Sequence, residues 1–233
     1  MFINLNQNKN LKLFKIISSV ANENGQTVYA VGGYVRDLLM GRATPTDIDF
    51  VTEQSGIALA KSIAEQVAPE QKVSVFKTYG TAMFRYEDLE LEFVGARKES
   101  YSEDSRNPAV EQGSLEDDQK RRDFTINAMA ISLNQENFGE LIDPFNGRQD
   151  LADKILRTPL EPRQTYSDDP LRMMRAIRFA STLGFSIEQK SLEAIEKEAK
   201  RIEIITVERI MVEFNKIMLS EKPSAGLEIM KKT

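Results

Sequence analysis

The 233-residue sequence contains neither cysteine nor histidine. The chain therefore has no thiol and no imidazole, which excludes cysteine nucleophiles, catalytic triads that use histidine and the common zinc sites. Acid–base chemistry and metal binding are left to aspartate, glutamate, lysine, tyrosine and water. Sites built only from oxygen ligands favour Mg²⁺, Mn²⁺ or Ca²⁺.

Long apolar runs and an excess of basic residues are also missing. No stretch approaches the roughly 20 apolar residues that a transmembrane helix needs, and the N-terminus lacks the pattern of a signal peptide. We therefore expect a cytoplasmic protein with no membrane partner.

The net charge is −5, which excludes nucleic-acid binding through overall positive charge. Local clusters could still bind it, such as residues 120–122 or the arginines at 172, 175 and 178.

The first part of the sequence alternates between helical and strand patterns. Apolar spacing predicts helices over 10–24 and 55–67, the second capped by Ser55, and a short helix that ends near Met40. Strands are predicted over 28–31, 48–51, 72–78, 81–86 and 89–97. Residues 98–119 are polar and acidic and contain Pro108 and Gly113, which predicts a mobile loop.

The pattern then becomes helical. Helices are predicted over 117–133, 169–183, 188–201 and 206–219, and another begins in the last residues of the sequence. We therefore predict an α+β fold, in which a small mixed sheet is followed by an all-helical domain. A boundary near 156–162 would give domains over 1–157 and 158–233.

Asp47 and Asp49 are separated by one apolar residue in a predicted strand. Their side chains then lie on the same face, about 6.6 Å apart along the strand, and repel each other unless something positive lies between them. Two such carboxylates can hold divalent ions. These ions neutralise the charge of a phosphate that is being transferred and activate the attacking oxygen. A turn aspartate followed by an exposed one would explain the same residues, so the neighbouring sequence has to decide.

Two glycines, Gly32 and Gly33, precede the short helix that leads to this strand. Unpaired N–H groups and the helix dipole bind anions at such a start, and Arg36 lies close enough to reach the same anion. An anion-binding turn beside a pair of metal-binding carboxylates describes a triphosphate pocket. Glu90 and Glu92 share a face of a later strand, and either could supply a third carboxylate. We favour Glu92, although a solvated strand face explains the pair almost as well.

Five motifs occur in the order found in one enzyme family. They are "GGYVRDLLMGRATPTDIDFV" (32–51), "RRDFTINAMA" (121–130), "IDPFNGRQDL" (142–151), "DDPLRMMRAIRF" (168–179) and "ERIMVEF" (208–214). In these motifs the sequence resembles the class II tRNA nucleotidyltransferase and bacterial poly(A) polymerase family, within the DNA polymerase β-like nucleotidyltransferase superfamily. The resemblance implies a sheet of the nucleotidyltransferase type, and it covers the head and neck portion of the family.

The resemblance also implies roles for single residues. Gly33, with Gly32 before it, and Arg36 would contact the nucleotide phosphates. Asp47 and Asp49 would bind the catalytic Mg²⁺ ions, and Asp49 would help to deprotonate the attacking 3′-hydroxyl. The residues implied in nucleotide binding by the second motif are Arg122, Asp123 near the ribose, and Asn127 one helical turn further on.

The fourth motif places Asp169, Arg172 and Arg175 at three-residue spacing, so on one helix they project from one face. A carboxylate and a guanidinium side by side can mimic the hydrogen-bonding edge of a base. In the family such a pair selects CTP or ATP without a template. Asp169 and Arg172 would do so here, with Arg175 and Arg178 near the nucleotide. The family often has glutamate at the position of Asp168. The aspartate side chain is shorter than that glutamate by one methylene.

The implied function is a template-independent RNA nucleotidyltransferase. It would add C and A, or A alone, to the tRNA 3′ end from CTP and ATP, with release of pyrophosphate. A poly(A) polymerase shares these motifs and is an alternative. A third reading is a truncated head module that binds nucleotide or RNA without efficient turnover. A small-molecule nucleotidyltransferase is disfavoured, because it would have no need for a base-reading helix.

Overall fold

The computed structural model describes residues 1–42, 46–102 and 105–233, and the side chains of these except 99–102 and 105–110. The chain divides into two compact units. The first comprises Met1–Lys98, Val110–Gln119 and Asn127–Phe145, and the second comprises Glu99–Ala109, Lys120–Ile126 and Asn146–Thr233. The predicted fold class, a mixed sheet followed by a helical region, is confirmed.

The elements of the first unit follow the predicted order up to Gly95. They are α1 (Leu11–Glu23), β1 (Tyr29–Val31), α2 (Gly33–Leu39), β2 (Asp47–Thr52), α3 (Gly56–Val67), β3 (Ser74–Phe76), β4 (Thr81–Tyr86) and β5 (Leu89–Gly95). The cap predicted for α3 is also confirmed, since the Ser55 side chain accepts a hydrogen bond from the N–H of Ala58 at 3.2 Å. Helix and strand periodicity therefore sufficed for this part of the chain.

The region predicted as a mobile loop, 98–119, contains regular structure. It forms β6 (Arg97–Ser102), β7 (Ser105–Gln112) and α4 (Leu115–Lys120), and β6 pairs with β7 in a two-stranded sheet. The loop prediction was wrong because both strands of such a ribbon are edge strands. Edge strands tolerate proline and need no regular apolar alternation, so Pro108 and the polar composition did not mark a break.

The helix predicted over 117–133 is also corrected. The chain leaves α4 at Lys120 and continues as β8 (Ala130–Ser132), which pairs with β1, followed by β9 (Leu141–Ile142). All three residues of β8 are buried. A strand that is buried on both faces loses its polar–apolar alternation, so its short apolar run cannot be distinguished from a buried helix by periodicity.

Seven strands among the described residues form one sheet in the order β3-β4-β5-β2-β1-β8-β9. Strand β2 runs parallel to β5 and antiparallel to β1. The sheet packs one face on aromatic side chains: the ring of Phe50 stacks on Phe93 with centroids 4.8 Å apart, and Phe14 contacts Phe50 edge-on at 6.1 Å. Because side chains alternate along β2, burial of Ile48 and Phe50 turns Asp47 and Asp49 to the other face.

The second unit contains the predicted helices. The four predicted ones are α7 (Leu171–Leu183), α8 (Gln189–Glu198), α9 (Val207–Met218) and α10 (Pro223–Lys232), and two further helices, α5 (Gly147–Asp153) and α6 (Pro162–Asp168), were not predicted. Its core joins α7 and α9 through Met174, Ile177 and Ile217. The unit also holds one short parallel pairing, β10 (Ile155–Leu156) with β11 (Ser186–Ile187). None of the helices in the described part of the chain is long and apolar enough to cross a membrane.

A close backbone crossing fixes the end of β5 against the start of α3. A Cβ atom on Gly56 would lie 2.7 Å from the backbone nitrogen of Gly95 and 2.8 Å from the carbonyl oxygen of Phe93. We therefore expect Gly56→Ala to lower the free energy of unfolding by about 1–3 kcal/mol, as overpacking does in other cores. Thermal unfolding would measure the change.

Gly33→Ala is the matched control for this substitution. Its Cβ would meet the Arg36 guanidinium at 3.6 Å, which is ordinary contact, and alanine is favoured over glycine in a helix. Equal midpoints for the Gly56→Ala protein and the unaltered protein would show that the crossing relaxes freely.

Candidate active site

The exposed face of β2 carries a row of acidic side chains in the first unit. Asp47 is exposed and Asp49 is half-buried. The parallel register with β5 places Asp49 opposite Glu92 and Asp47 opposite Glu90. Residues in register on neighbouring strands, about 4.8 Å apart, point to the same side of a sheet. The strand pairing thus adds two glutamates to the aspartate pair.

Glu92 is unfavourably placed for a charged carboxylate. Burial raises its pKa above the usual value, and the negative charges of Asp49 and Glu90 raise it further, whereas Arg97 opposes the change. Like charges gathered on a half-buried surface destabilise the ionised form. The row therefore favours a cation, which would relieve this repulsion.

The protein ligands alone do not enclose a metal ion. Over residues 1–42, 46–102 and 105–233, no group of three or more carboxylates converges in a metal-binding arrangement. Mg²⁺ in phosphate-transfer sites is held by one or two carboxylates, water and the substrate phosphates rather than by a complete protein cage. Asp47 and Asp49 fit that kind of site, since they offer two carboxylates on one open face.

The turn before α2 adjoins this row. Val31 at the end of β1 pairs with Asp49, so the following Gly32 and Gly33 lie beside the start of β2. Gly32 has φ 74° and ψ −137°, a conformation that glycine adopts without a steric penalty. The glycine pair therefore permits a turn that leads directly into the helix.

Arg36 projects from α2 and is held on two sides. Its guanidinium donates to both carboxylate oxygens of Asp37, at 2.9 and 2.8 Å, and to Oδ1 of Asn127 at 2.8 Å. The Arg36 side chain is 11% exposed. The structure thus brings together Arg36 and Asn127, two residues predicted to bind nucleotide. Sequence reasoning missed Asp37, although it stands next to Arg36 in "VRD".

Asp123 and Arg175 form an ion pair in the second unit. Oδ2 of Asp123 lies 2.6 Å from Nη2 of Arg175, and its Oδ1 accepts from the N–H of Phe124 at 2.8 Å. Asp123 is buried, and its charge raises the pKa of Arg175. Two residues predicted to contact nucleotide therefore contact each other. Arg122, from the same motif, is half-buried.

Asp169 does not lie on the helix that carries the arginines. It is the C-cap residue of α6, and α7 begins at Leu171. Oδ1 of Asp169 accepts a hydrogen bond from the N–H of Leu171 at 3.2 Å. The prediction of one helix beginning at Asp169 is therefore corrected, because Pro170 opens the new helix after a break at Asp169. Asp168 ends α6 and accepts from Gln164 at 2.6 Å.

Arg172 is buried against main-chain oxygens. Its Nη2 donates to the carbonyl of Arg121 at 2.6 Å, and its Nη1 lies 3.4 Å from the carbonyl of Thr165. These bonds fix the plane of the guanidinium.

Arg178 contacts α9 and a neighbouring ring. Its Nε donates to Glu213 of α9 at 2.5 Å, and its guanidinium lies 3.8 Å from the Phe179 ring centroid. Glu213 belongs to the fifth motif, "ERIMVEF". Sequence reasoning did not identify it as the partner of Arg178.

The fold and the acidic strand together define the class of protein. A mixed sheet whose second strand exposes paired aspartates, beside a glycine turn and a helix, is the fold of a nucleotidyltransferase. The sequence profile described as "Poly A polymerase head domain" matches residues 28–157, more than half of the chain. The chain belongs to this family, and its resemblance to class II tRNA nucleotidyltransferases and bacterial poly(A) polymerases is confirmed. Residues 184–233 match a second profile, "Probable RNA and SrmB- binding site of polymerase A".

Curated relatives agree with this assignment. The chain is 42% identical over 202 residues to an A-adding tRNA nucleotidyltransferase of Aquifex aeolicus, covering 87% of this chain and 24% of that protein. It is 37% identical over 213 residues to a CCA-adding enzyme of Bacillus subtilis, covering 91% and 51%. The chain thus spans about a quarter of the length of the first relative and about half of the second.

Solved structures extend the likeness to the whole fold. A tRNA nucleotidyltransferase complexed with a primer tRNA and an incoming ATP analogue matches with a TM-score of 0.80 and 35% identity, over 93% of this chain and 60% of that one. A CCA-adding enzyme in complex with CTP matches with a TM-score of 0.83 and 31% identity, over 97% and 50%.

We expect Glu92→Gln to raise the thermal unfolding midpoint at pH 7 without divalent ions. A carboxyl whose pKa is raised by folding destabilises the folded state above that pKa, because its charge is less favourable there than in the unfolded chain. The amide removes this cost, and a shift of about 1–3 °C is the expected scale. The gain should vanish below about pH 4, where the carboxyl is protonated in both states.

Glu65→Gln is the control, because Glu65 is an exposed carboxylate on α3 and does not belong to this row. Mg²⁺ should stabilise the unaltered protein more than the Glu92→Gln protein. A lower midpoint for Glu92→Gln at pH 7 would contradict the account of repulsion in this row.

Proposed function

We propose that the chain is the catalytic head and neck of a template-independent RNA nucleotidyltransferase. It transfers C and A, or A alone, from CTP and ATP to the 3′ end of tRNA and releases pyrophosphate. The observation that carries this proposal is the acidic row of β2, in which Asp47 and Asp49 share an open face with Glu92 opposite Asp49. The named partners of the relatives, primer tRNA, ATP and CTP, support the same substrates.

In the proposed reaction the 3′-hydroxyl of the RNA attacks the α-phosphate of the nucleotide. A phosphodiester bond forms, the bond from the α-phosphate to the β-phosphate bridging oxygen breaks, and pyrophosphate leaves. Asp49 accepts the hydroxyl proton. Asp47 and Asp49 would hold divalent ions, for which we propose Mg²⁺; when bound, such ions would neutralise phosphate charge and make the attacking hydroxyl more acidic.

Other residues bind the nucleotide in this proposal. Gly32, Gly33 and Arg36 contact the phosphates, supported by the anion affinity of a helix start next to a guanidinium. Arg36 is already oriented by Asp37 and Asn127, so it needs no ordering when a phosphate arrives. Preorganised donors of this kind lose little entropy on binding.

The second unit supplies the proposed base-binding residues. Asp169 and Arg172 read the base edge, while Arg122, Asp123, Arg175 and Arg178 lie near the nucleotide. The two carbonyl contacts of Arg172 support this role, because they fix the guanidinium plane that a bidentate contact requires. We also propose that the head and neck divide at 157–158, which the end of the head-domain profile at residue 157 supports.

A poly(A) polymerase remains a second candidate, since the matched head profile carries that name. The two functions differ in the length of their product. A CCA- or A-adding enzyme stops after completing the 3′ CCA, whereas a poly(A) polymerase continues.

The test incubates the chain with Mg²⁺, CTP or ATP, and tRNA that ends before CCA, after CC or after CCA, with products resolved at single nucleotides. Additions that stop at CCA would support CCA addition, and A added only to the CC-ended tRNA would support A addition. Long A tails would move the assignment to poly(A) polymerase. NTP binding without extension would mean that this length of chain binds but does not turn over.

Asp47→Asn and Asp49→Asn keep the shape of the side chains and remove their charge. We expect either change to lower the addition rate by about 10²–10⁴-fold, the scale of losing a positioned acid–base group. Asp88→Asn is the matched control, because Asp88 is an exposed aspartate in the turn between β4 and β5. Equal rates for all three variants would refute the assignment of the acidic row.

A further inference from the structure

The face of the sheet that carries the acidic row continues over β4 and β3. Register across these strands places Glu92 opposite Met83, and Met83 opposite Ser74. Two residues further along β4, Arg85 lies opposite Glu90. Two residues in the other direction, Thr81 lies between Phe76 of β3 and Val94 of β5. Residues opposed in register point to the same side. Arg85, Met83 and Phe76 therefore share the face of Asp49.

These side chains are more accessible than a sheet core requires. The Arg85 side chain is 77% exposed, Met83 is half-buried and Phe76 is 47% exposed. Strand β3 is an edge of the seven-stranded sheet. An exposed aromatic ring and a guanidinium on one continuous face form a surface on which a nucleobase can stack and a phosphate can pair.

The geometry of the transfer assigns this surface to one substrate. Gly32 and Gly33 lie on the β1 side of β2, so a triphosphate bound by them has its leaving pyrophosphate on that side. Attack on the α-phosphate is in line, with the entering and leaving oxygens on opposite sides. The acceptor hydroxyl must then approach from the opposite side of β2, where β5, β4 and β3 lie.

We propose that Phe76, Met83 and Arg85 form the binding surface for the single-stranded 3′ end of the acceptor RNA. Phe76 stacks on a base of the acceptor a few nucleotides before its end, and Arg85 pairs with a backbone phosphate. With strands about 4.8 Å apart, Phe76 lies three strands from Asp49, roughly 14 Å across the sheet. The inference rests on the proposed function, because the direction of approach follows from the reaction.

Affinity for an acceptor that cannot react tests this surface directly. A fluorescently labelled single-stranded RNA ending in 3′-deoxycytidine lacks the attacking hydroxyl, so its binding in Mg²⁺ and ATP can be followed without turnover. We expect Phe76→Ala to weaken binding about tenfold, within the range for loss of one base–aromatic stack. With a reactive acceptor, the KM for RNA should rise by a similar factor, while the KM for ATP and kcat stay within about twofold.

Two further variants separate stacking from mere apolar contact. Phe76→Trp should restore the affinity, whereas Phe76→Leu should not, because only an aromatic ring stacks on a base. Phe2→Ala is the matched control: Phe2 is 65% exposed and bridges to Glu140, next to β9 at the opposite edge of the sheet. Its RNA affinity should equal that of the unaltered chain.

The outcomes distinguish this inference from the proposed function. If the unaltered chain extends RNA but Phe76→Ala binds the acceptor as tightly as Phe2→Ala does, the surface is wrong and the proposed function stands. If RNA binding depends on the aromatic ring at 76 but no nucleotide is added, the surface stands and the proposed function fails for this chain. An unaltered chain that does not bind RNA overturns the inference.

Discussion

The alternation of side chains along β2 is the constraint on which the rest of the site depends. Because Ile48 and Phe50 are buried in the aromatic core, the side chains of Asp47 and Asp49 lie on the opposite face of the sheet. A shift of register by one residue would bury the aspartates and expose Ile48 and Phe50, which would cost both hydrophobic burial and charge solvation. The core and the candidate active site are therefore specified by the same six residues.

The neighbouring strands determine what this face can do. Strand β5 adds Glu90 and Glu92 to the aspartates, and burial together with the repulsion in this row raises the pKa of Glu92. Strand β1 ends in the glycine turn on the other side. The order of three strands thus places the glycine turn, paired carboxylates and a third carboxylate side by side, which gives the proposed reaction a direction.

The described arginines of the candidate site are already engaged within the protein. Arg36 binds Asp37 and Asn127, Arg175 binds Asp123, and Arg172 binds main-chain carbonyls. A buried guanidinium without partners would be costly, so such contacts are expected. A nucleotide that binds these residues must either extend the existing networks or exchange with their members.

Sequence periodicity by itself determined α1, α3, α7 and α9, the apolar face of β2 and the shared face of its two aspartates, because these depend on residues close together in the chain. The tertiary structure alone decided that 130–132 form a strand, that 97–102 and 105–112 pair as a ribbon and that Glu92 lies opposite Asp49. It also chose the partners of the arginines: Arg36 and Asn127 are 91 positions apart, and Arg175 and Asp123 are 52 apart. Strand pairing and ion pairing join residues whose separation leaves no local pattern, so periodicity could not reveal them.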